Sequence, residues 1–160
     1  MSRFYLAAAP LLAACMATLP AATAPAPGPR SPQDAAAQVA EEVNRHRRSI
    51  GCPALQWDER AAAVALAHSE DMRRRGYFAH RSPEGQDMVY RLRTARIAFR
   101  QAAENLALDP RGPAEVVRAW LGSPGHRRNL ETCELTHHGV GVSGDRWTHL
   151  FFTPPLLPGE

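Results

Sequence analysis

Trp120-Leu-Gly-Ser-Pro-Gly-His-Arg-Arg-Asn-Leu130 is the stretch whose reading decides how the chain folds. Val116, Val117, Trp120 and Leu121 recur at helical spacing, which predicts an amphipathic helix from Pro113 to Leu121 with proline in its first turn. Gly122 stands where a left-handed C-terminal cap is expected, and Pro124 follows to stop the helix. Ser123-Pro124-Gly125-His126 has Pro and Gly at the central positions of a type II turn, with Gly125 at the position that needs positive φ. This reading fixes His126 at the start of a new short helix.

The same reading extends in both directions. Asp34 is a candidate cap for a first helix with the stripe Val39, Val43 and Ile50, ending at Gly51. Asp58 caps a second helix that runs to Arg75 and stops at Gly76, with Ala61, Val64 or Ala65, His68 and Met72 facing the core. Arg73, Arg74 and Arg75 fall in its last turn, where cations suit the helix dipole. Ser82-Pro83-Glu84-Gly85 suits a type I turn, and a helical piece from Asp87 to Ala98 follows. Ala102 to Ala107 is indecisive by periodicity. Gly139–Val142 and Trp147–Thr153 read as two strands joined at Ser143-Gly144-Asp145-Arg146. Helices come early and strands late, so the expected class is α+β with a small antiparallel sheet.

At 160 residues the chain is one domain with an appendage. Its formal charge is +3, and all 19 basic residues are Arg. No dense basic stripe is interleaved with aromatics, which argues against nucleic acid as a partner. Residues 1–24 read as a secretory signal: a short positive start, then an apolar run broken by Pro10 and too short to span a membrane. Leu12-Ala13-Ala14-Cys15 resembles a lipobox, so Cys15 is a candidate lipidation site and a lipid anchor the expected membrane link. Cleavage further on, with free secretion, is the alternative route. A Pro/Ala-rich tether at 25–32 is expected to lead into a folded domain at 33–155, and 156–160 form a tail. Both routes place the domain outside the cytoplasm.

In that compartment Cys52 and Cys133 form an even pair, and a structural disulfide between them is expected. No Cys-x-x-Cys motif suggests a redox role.

Asn44, Arg47, Leu55-Gln56-Trp57-Asp58, His68-Ser69-Glu70-Asp71-Met72 and Tyr77-Phe78-Ala79-His80-Arg81-Ser82-Pro83 resemble the bacterial branch of the CAP superfamily. That superfamily takes in cysteine-rich secretory, antigen 5 and pathogenesis-related 1 proteins. Glu104-Asn105-Leu106-Ala107, Ser123 to Leu130, Gly139 to Val142 and Trp147 to Phe151 continue the likeness in order. It covers roughly Gln33 to Thr153. The resemblance implies a three-layer α-β-α sandwich around a central antiparallel sheet, a cleft of His and Glu residues, and a secreted or surface-attached protein. His80 matches the first cleft His, Glu104 the Glu of a Glu-Asn-Leu motif, and His126 the Ser-Pro-Gly-His histidine. Asn105 and Ser123 belong to the same motifs and are candidate ligand contacts. The chain departs from the eukaryotic pattern: Leu121-Gly122-Ser123 stands where a second Glu is usual, and no His-Tyr-Thr-Gln strand is present. It also has Ala103 where the bacterial pattern has Gly, and His149 where it has Gln.

Two imidazoles and a carboxylate suit a divalent metal such as zinc, with His80 and His126 as ligands. They equally suit acid–base work near neutrality, or a hydrogen-bonded set that only holds the cleft together. No Gly-x-Ser-x-Gly elbow or His-Glu-x-x-His helix is present. His68 is a core or cleft-edge candidate, His149 on the last strand is expected to face the cleft, and His137, His138 and His46 are expected at the surface. Three functions stay open at this point. The first is a monomeric domain binding a small molecule, lipid or cell-wall component, the second a metal-assisted hydrolase, the third a structural module of the envelope.

Overall fold

A computed structural model of the chain describes residues 31–108 and 111–156. The signal segment, the lipobox with Cys15 and most of the tether lie outside the described residues. Ser31 and Pro32 do not belong to the tether: Ser31 Oγ accepts from the Asp34 N–H and Pro32 takes the first helical position of α1 (Pro32–Ser49). The cap is thus Ser31 rather than Asp34. A proline there loses nothing, because its missing N–H would have had no helical partner.

α1 buries Ala35, Ala36, Val39, Ala40, Val43 and Arg47. Ile50 does not continue that stripe. The helix ends at Ser49, and Ile50 is left exposed as the cap. After β1 (Gln56–Trp57), α2 (Glu59–Arg75) starts on the Asp58 carboxylate and ends at Gly76 with φ of 70°. α3 (Met88–Thr94) is shorter than the periodicity suggests. Arg96 takes the left-handed conformation, its N–H reaching Arg93 O while the Ile97 N–H reaches Leu92 O. That is a Schellman closure with arginine in the usual glycine position, sealed by Ile97 packing in one cluster with Leu92.

The indecisive stretch is a strand, β2 (Gln101–Leu108). α4 (Pro113–Gly122) and α5 (Pro124–Glu131) then meet at a single residue, Ser123, which ends one helix and starts the other. Neither Gly122 nor Gly125 has positive φ, so the expected left-handed cap and type II turn are absent. Pro124 sits at the first position of α5, where proline favours helix initiation over a turn. β3 (His137–Ser143) and β4 (Arg146–Thr153) form the hairpin, with Gly144 at φ of 60°.

The sheet order is β1-β3-β4-β2. β3, β4 and β2 are antiparallel as expected, and β1 adds a two-residue parallel edge at His137 and His138. α1 and α4 cover one face over Val140, Val142 and Phe151, while α2 and α3 cover the other over Leu150 and Phe152. The class is α+β, an α-β-α sandwich. α2 is seated on glycine: a Cβ at Gly139 would lie 2.1 Å from the Ala62 nitrogen, and one at Gly141 would lie 1.9 Å from the Leu66 nitrogen.

Cys52 and Cys133 form a disulfide, joining the loop after α1 to the segment after α5. The Arg47 guanidinium reinforces that joint. It is fully buried and donates to the carbonyls of Pro53, Leu130, Thr132 and Leu135 at 2.8–2.9 Å. Among the described residues no helix is long and apolar enough to cross a membrane.

Candidate functional site

β2 places two consecutive polar side chains on opposite faces of the sheet, as strand alternation requires. Glu104 points to the α2–α3 side and Asn105 to the α5 side, both almost completely buried. A buried carboxylate must be neutralised or hydrogen-bonded, and Glu104 is both. Its Oε2 accepts from Arg91 Nη2 at 2.6 Å, and its Oε1 lies 2.8 Å from His80 Nδ1. Because the carboxylate only accepts, Nδ1 carries the proton and the bare face of His80 is Nε2. The His80 side chain is 58% exposed, against 3% for Glu104. The site therefore presents an imidazole to solvent and hides the acid that orients it.

Arg91 is the residue that sequence reasoning missed. It sits on α3 and clamps the His80 loop, donating from Nη1 to His80 O at 3.1 Å and to Gln86 O at 3.0 Å. Its spacing from Glu104, on a different element, carries no local signal.

His126 stands in the first turn of α5, half-buried, near enough to His80 to feel its charge. Desolvation, and after it the His80 charge, pulls the His126 pKa below the usual histidine value, which favours its neutral form. Asn105 sets its position rather than facing a ligand: Asn105 Nδ2 donates to His126 O at 3.0 Å, and Asn129 Nδ2 donates to Asn105 Oδ1 at 2.8 Å. Ser123 is half-buried at the α4–α5 junction.

His68 is buried on α2, and its Nε2 donates to Ala79 O at 3.0 Å, holding the segment just before His80. Desolvation, then Arg91, lowers its pKa. A cavity of about 320 Å³ between α2 and α3 is lined by His68, Ser82, Tyr90 and Arg91.

His149 does not line this cleft. It is completely buried on the opposite face, 3.8 Å centroid to centroid from Phe151 and 5.5 Å from Trp120. Its Nε2 lies 3.0 Å from His138 Nδ1, which places His138 in the core and not at the surface. His137 is half-buried against Phe152 in β3, and His46 pairs with Glu131 at 2.9 Å instead of being free in water. In each case a strand or helix edge expected to face water is covered by another layer.

A three-ligand metal centre does not fit this geometry. Among the described residues no three His, Cys, Asp or Glu side chains are grouped to hold an ion. Glu104 is already neutralised by the Arg91 cation at 2.6 Å. As an acid–base device the arrangement is more complete, since a buried carboxylate fixes the tautomer of an exposed imidazole. Ser82 Oγ donates to Glu84, and Ser69 Oγ is engaged with Gly141 O and Thr148.

A family model described as the cysteine-rich secretory protein family matches residues 40–153. Two curated proteins of Bacillus subtilis are similar: uncharacterized protein YkwD, 39% identical over 116 residues, and uncharacterized membrane protein YlbC, 40% identical over 115. The matches cover 71% of this chain but only 45% and 33% of those proteins, so the chain spans less than half the length of either. A solved extracellular protein containing an SCP domain from Bacillus anthracis superposes with a TM-score of 0.72 at 33% identity, covering 79% of this chain and 45% of that one. An outer surface protein from Borrelia burgdorferi has the same fold, with a TM-score of 0.72 at 19% identity over 78% of this chain and 96% of that one.

Proposed function

Because the chain belongs to the cysteine-rich secretory protein (CAP) family, we propose that it works outside the cytoplasm as a binding domain. Its cleft takes a polar group of a small molecule, lipid or cell-envelope component between His80 and His126. The observation that supports this most is the Arg91–Glu104–His80 chain. Both oxygens of the buried acid are engaged, and the group left facing outward is His80 Nε2, an acceptor when neutral and a donor when protonated. His126, whose neutral form burial favours, adds a second imidazole on α5. The relatives' extracellular and outer-surface descriptions support the location.

Hydrolysis is the second reading, and the carboxylate-oriented imidazole favours it. His80 would act there as general base on water rather than through a side-chain nucleophile.

Nitrogen-detected NMR of the histidines in the full chain tests the binding reading, with soluble peptidoglycan fragments and phosphatidylglycerol vesicles as the probes. Saturable shifts of His80 and His126 with one probe are expected, weakened at least tenfold in His80→Ala/His126→Ala. No shift with either probe would overturn it.

A further inference from the structure

Val64, Ala67, His68 and Asp71 recur at three and four residues along α2, so they share one face of that helix. Tyr90 and Thr94 are related in the same way on α3, as are Arg91 and Ala95 at its end. Both faces carry an alanine, Ala67 and Ala95, and side chains that short leave the cavity of about 320 Å³ between the helices. Val64 and Ala95 also pack against the cluster of Leu92 and Ile97, which gives the cavity an apolar side. The volume is at the small end of ligand sites.

His68 gives this wall a polar point. It is 3% exposed, and its Nε2 is taken up by Ala79 O. The ring nitrogen left over is Nδ1, which has no partner among the described residues. Burial, and then the Arg91 charge, favours the neutral ring, so Nδ1 is a bare acceptor. A buried acceptor without a donor is costly, and a molecule in the cavity can supply one.

The charges in the wall call for no counter-ion. Arg91 is paired with Glu104, and Asp71 with Arg74, Arg75 and the Tyr77 hydroxyl. A neutral guest therefore suits the cavity better than an ion. Gln86, exposed on the lining, uses only its main chain in hydrogen bonds among the described residues, so its side-chain amide is free to donate. An acceptor and a donor in one small apolar space match a hydroxyl, which gives one hydrogen bond and takes another.

We propose that this cavity is a second ligand site, for a small neutral molecule carrying one hydroxyl on an apolar ring. The hydroxyl donates to His68 Nδ1 and accepts from the Gln86 amide, while the ring lies against Val64, Ala67 and Ala95. None of His80, Glu104 and His126 lines the cavity, so the site stands whatever the cleft binds. Its guest nonetheless touches the two side chains that hold the His80 loop, His68 at Ala79 O and Arg91 at His80 O.

Histidine-nitrogen NMR of the full chain titrated with phenol tests this, with toluene as the same ring lacking the hydroxyl. Phenol is expected to give a saturable shift at His68 Nδ1 and to leave His126 unmoved. Toluene should bind about fivefold more weakly, the scale of one neutral hydrogen bond. Ala67→Phe fills the cavity from an exposed position on α2, and Thr94→Trp from one on α3. Each should weaken phenol roughly tenfold or more by steric exclusion. Because the two positions lie on different helices, loss in both reports the cavity rather than one damaged fold. No saturable shift at His68, or undiminished binding in both variants, would overturn the proposal. Shifts confined to His80 and His126 would do the same, since phenol would then occupy the cleft. Equal affinity for phenol and toluene would remove the His68 contact and with it the hydroxyl requirement.

Discussion

Arg91 Nη2 meets Glu104 Oε2 at 2.6 Å with both side chains nearly out of water, 11% and 3% exposed. A buried ion pair of this kind adds little net stability over an apolar substitute, but removing one partner strands the other. Arg91→Met is expected to cost roughly 3–5 kcal/mol, and Arg91→Met/Glu104→Met to recover part of that loss. Urea denaturation of the single and double variants measures both.

Gly141 lies where a Cβ would come within 1.9 Å of the α2 main chain. Helix backbone cannot yield as a flexible side chain does, so Gly141→Ala must push α2 off the sheet. The expected cost is at the upper end of overpacking penalties, about 3 kcal/mol or more. Gly125→Ala, on an open surface of α5 without positive φ, should be near neutral. Thermal melts of the two variants make the comparison.

His138 and His149 share a hydrogen bond in the core, and His149 Nδ1 has no partner there. A tautomer with the proton on His149 Nε2 leaves a lone pair at that orphaned position instead of an N–H. Burial, then the charges of Arg47 and His137, pushes the His138 pKa down to about 4. Burial, then the charge of His138, takes the His149 pKa well below the usual value. The native state therefore binds fewer protons than the unfolded chain between about pH 6.5 and pH 4. Stability is full above the unfolded value and falls as pH drops through that window. The His138 share is about 3 kcal/mol by pH 4. Unfolding midpoints at pH 7, 5.5 and 4 in wild type and His138→Gln should show a shallower fall in the variant.

The Cys52–Cys133 bridge closes a loop of 81 positions. Thiol titration of the oxidised, denatured chain should find neither of these sulfurs free. Cys52→Ala/Cys133→Ala should lose stability up to a ceiling of roughly 4–5 kcal/mol, without displacing the His80–Glu104 contact, which lies on other elements.

The parts of the fold that the sequence discloses are those encoded locally. Asp58 and Gly76 bracket α2, Gly144 turns the hairpin, and paired cysteines point to their bridge. What it hides depends on partners distant in the chain. The end of α3 is closed by Arg96 in a conformation that glycine usually signals, and packing of Ile97 on Leu92 pays for it. Ser123-Pro124-Gly125 reads equally as a turn or as a helix start, and docking of α5 onto Asn105 through His126 O and Asn129 selects the helix. The candidate site divides in the same way. His80, Glu104 and His126 follow from motifs, whereas Arg91 and the true side of His149 emerge only once α3 is laid against β2 and α4 covers β4.

Arg47 gives the domain a load path. A pull on the chain entering at Ser31 runs down α1 and reaches four carbonyls and a disulfide at its far end. Tension is thus passed to the segments flanking Cys52 and Cys133 before it reaches the hydrogen-bonded strands. The cleft side of the sheet, where Glu104 orients His80, lies off that line. A domain held by its N-terminal end passes tension to α5, which carries His126, while the His80 side of the cleft stays off the line.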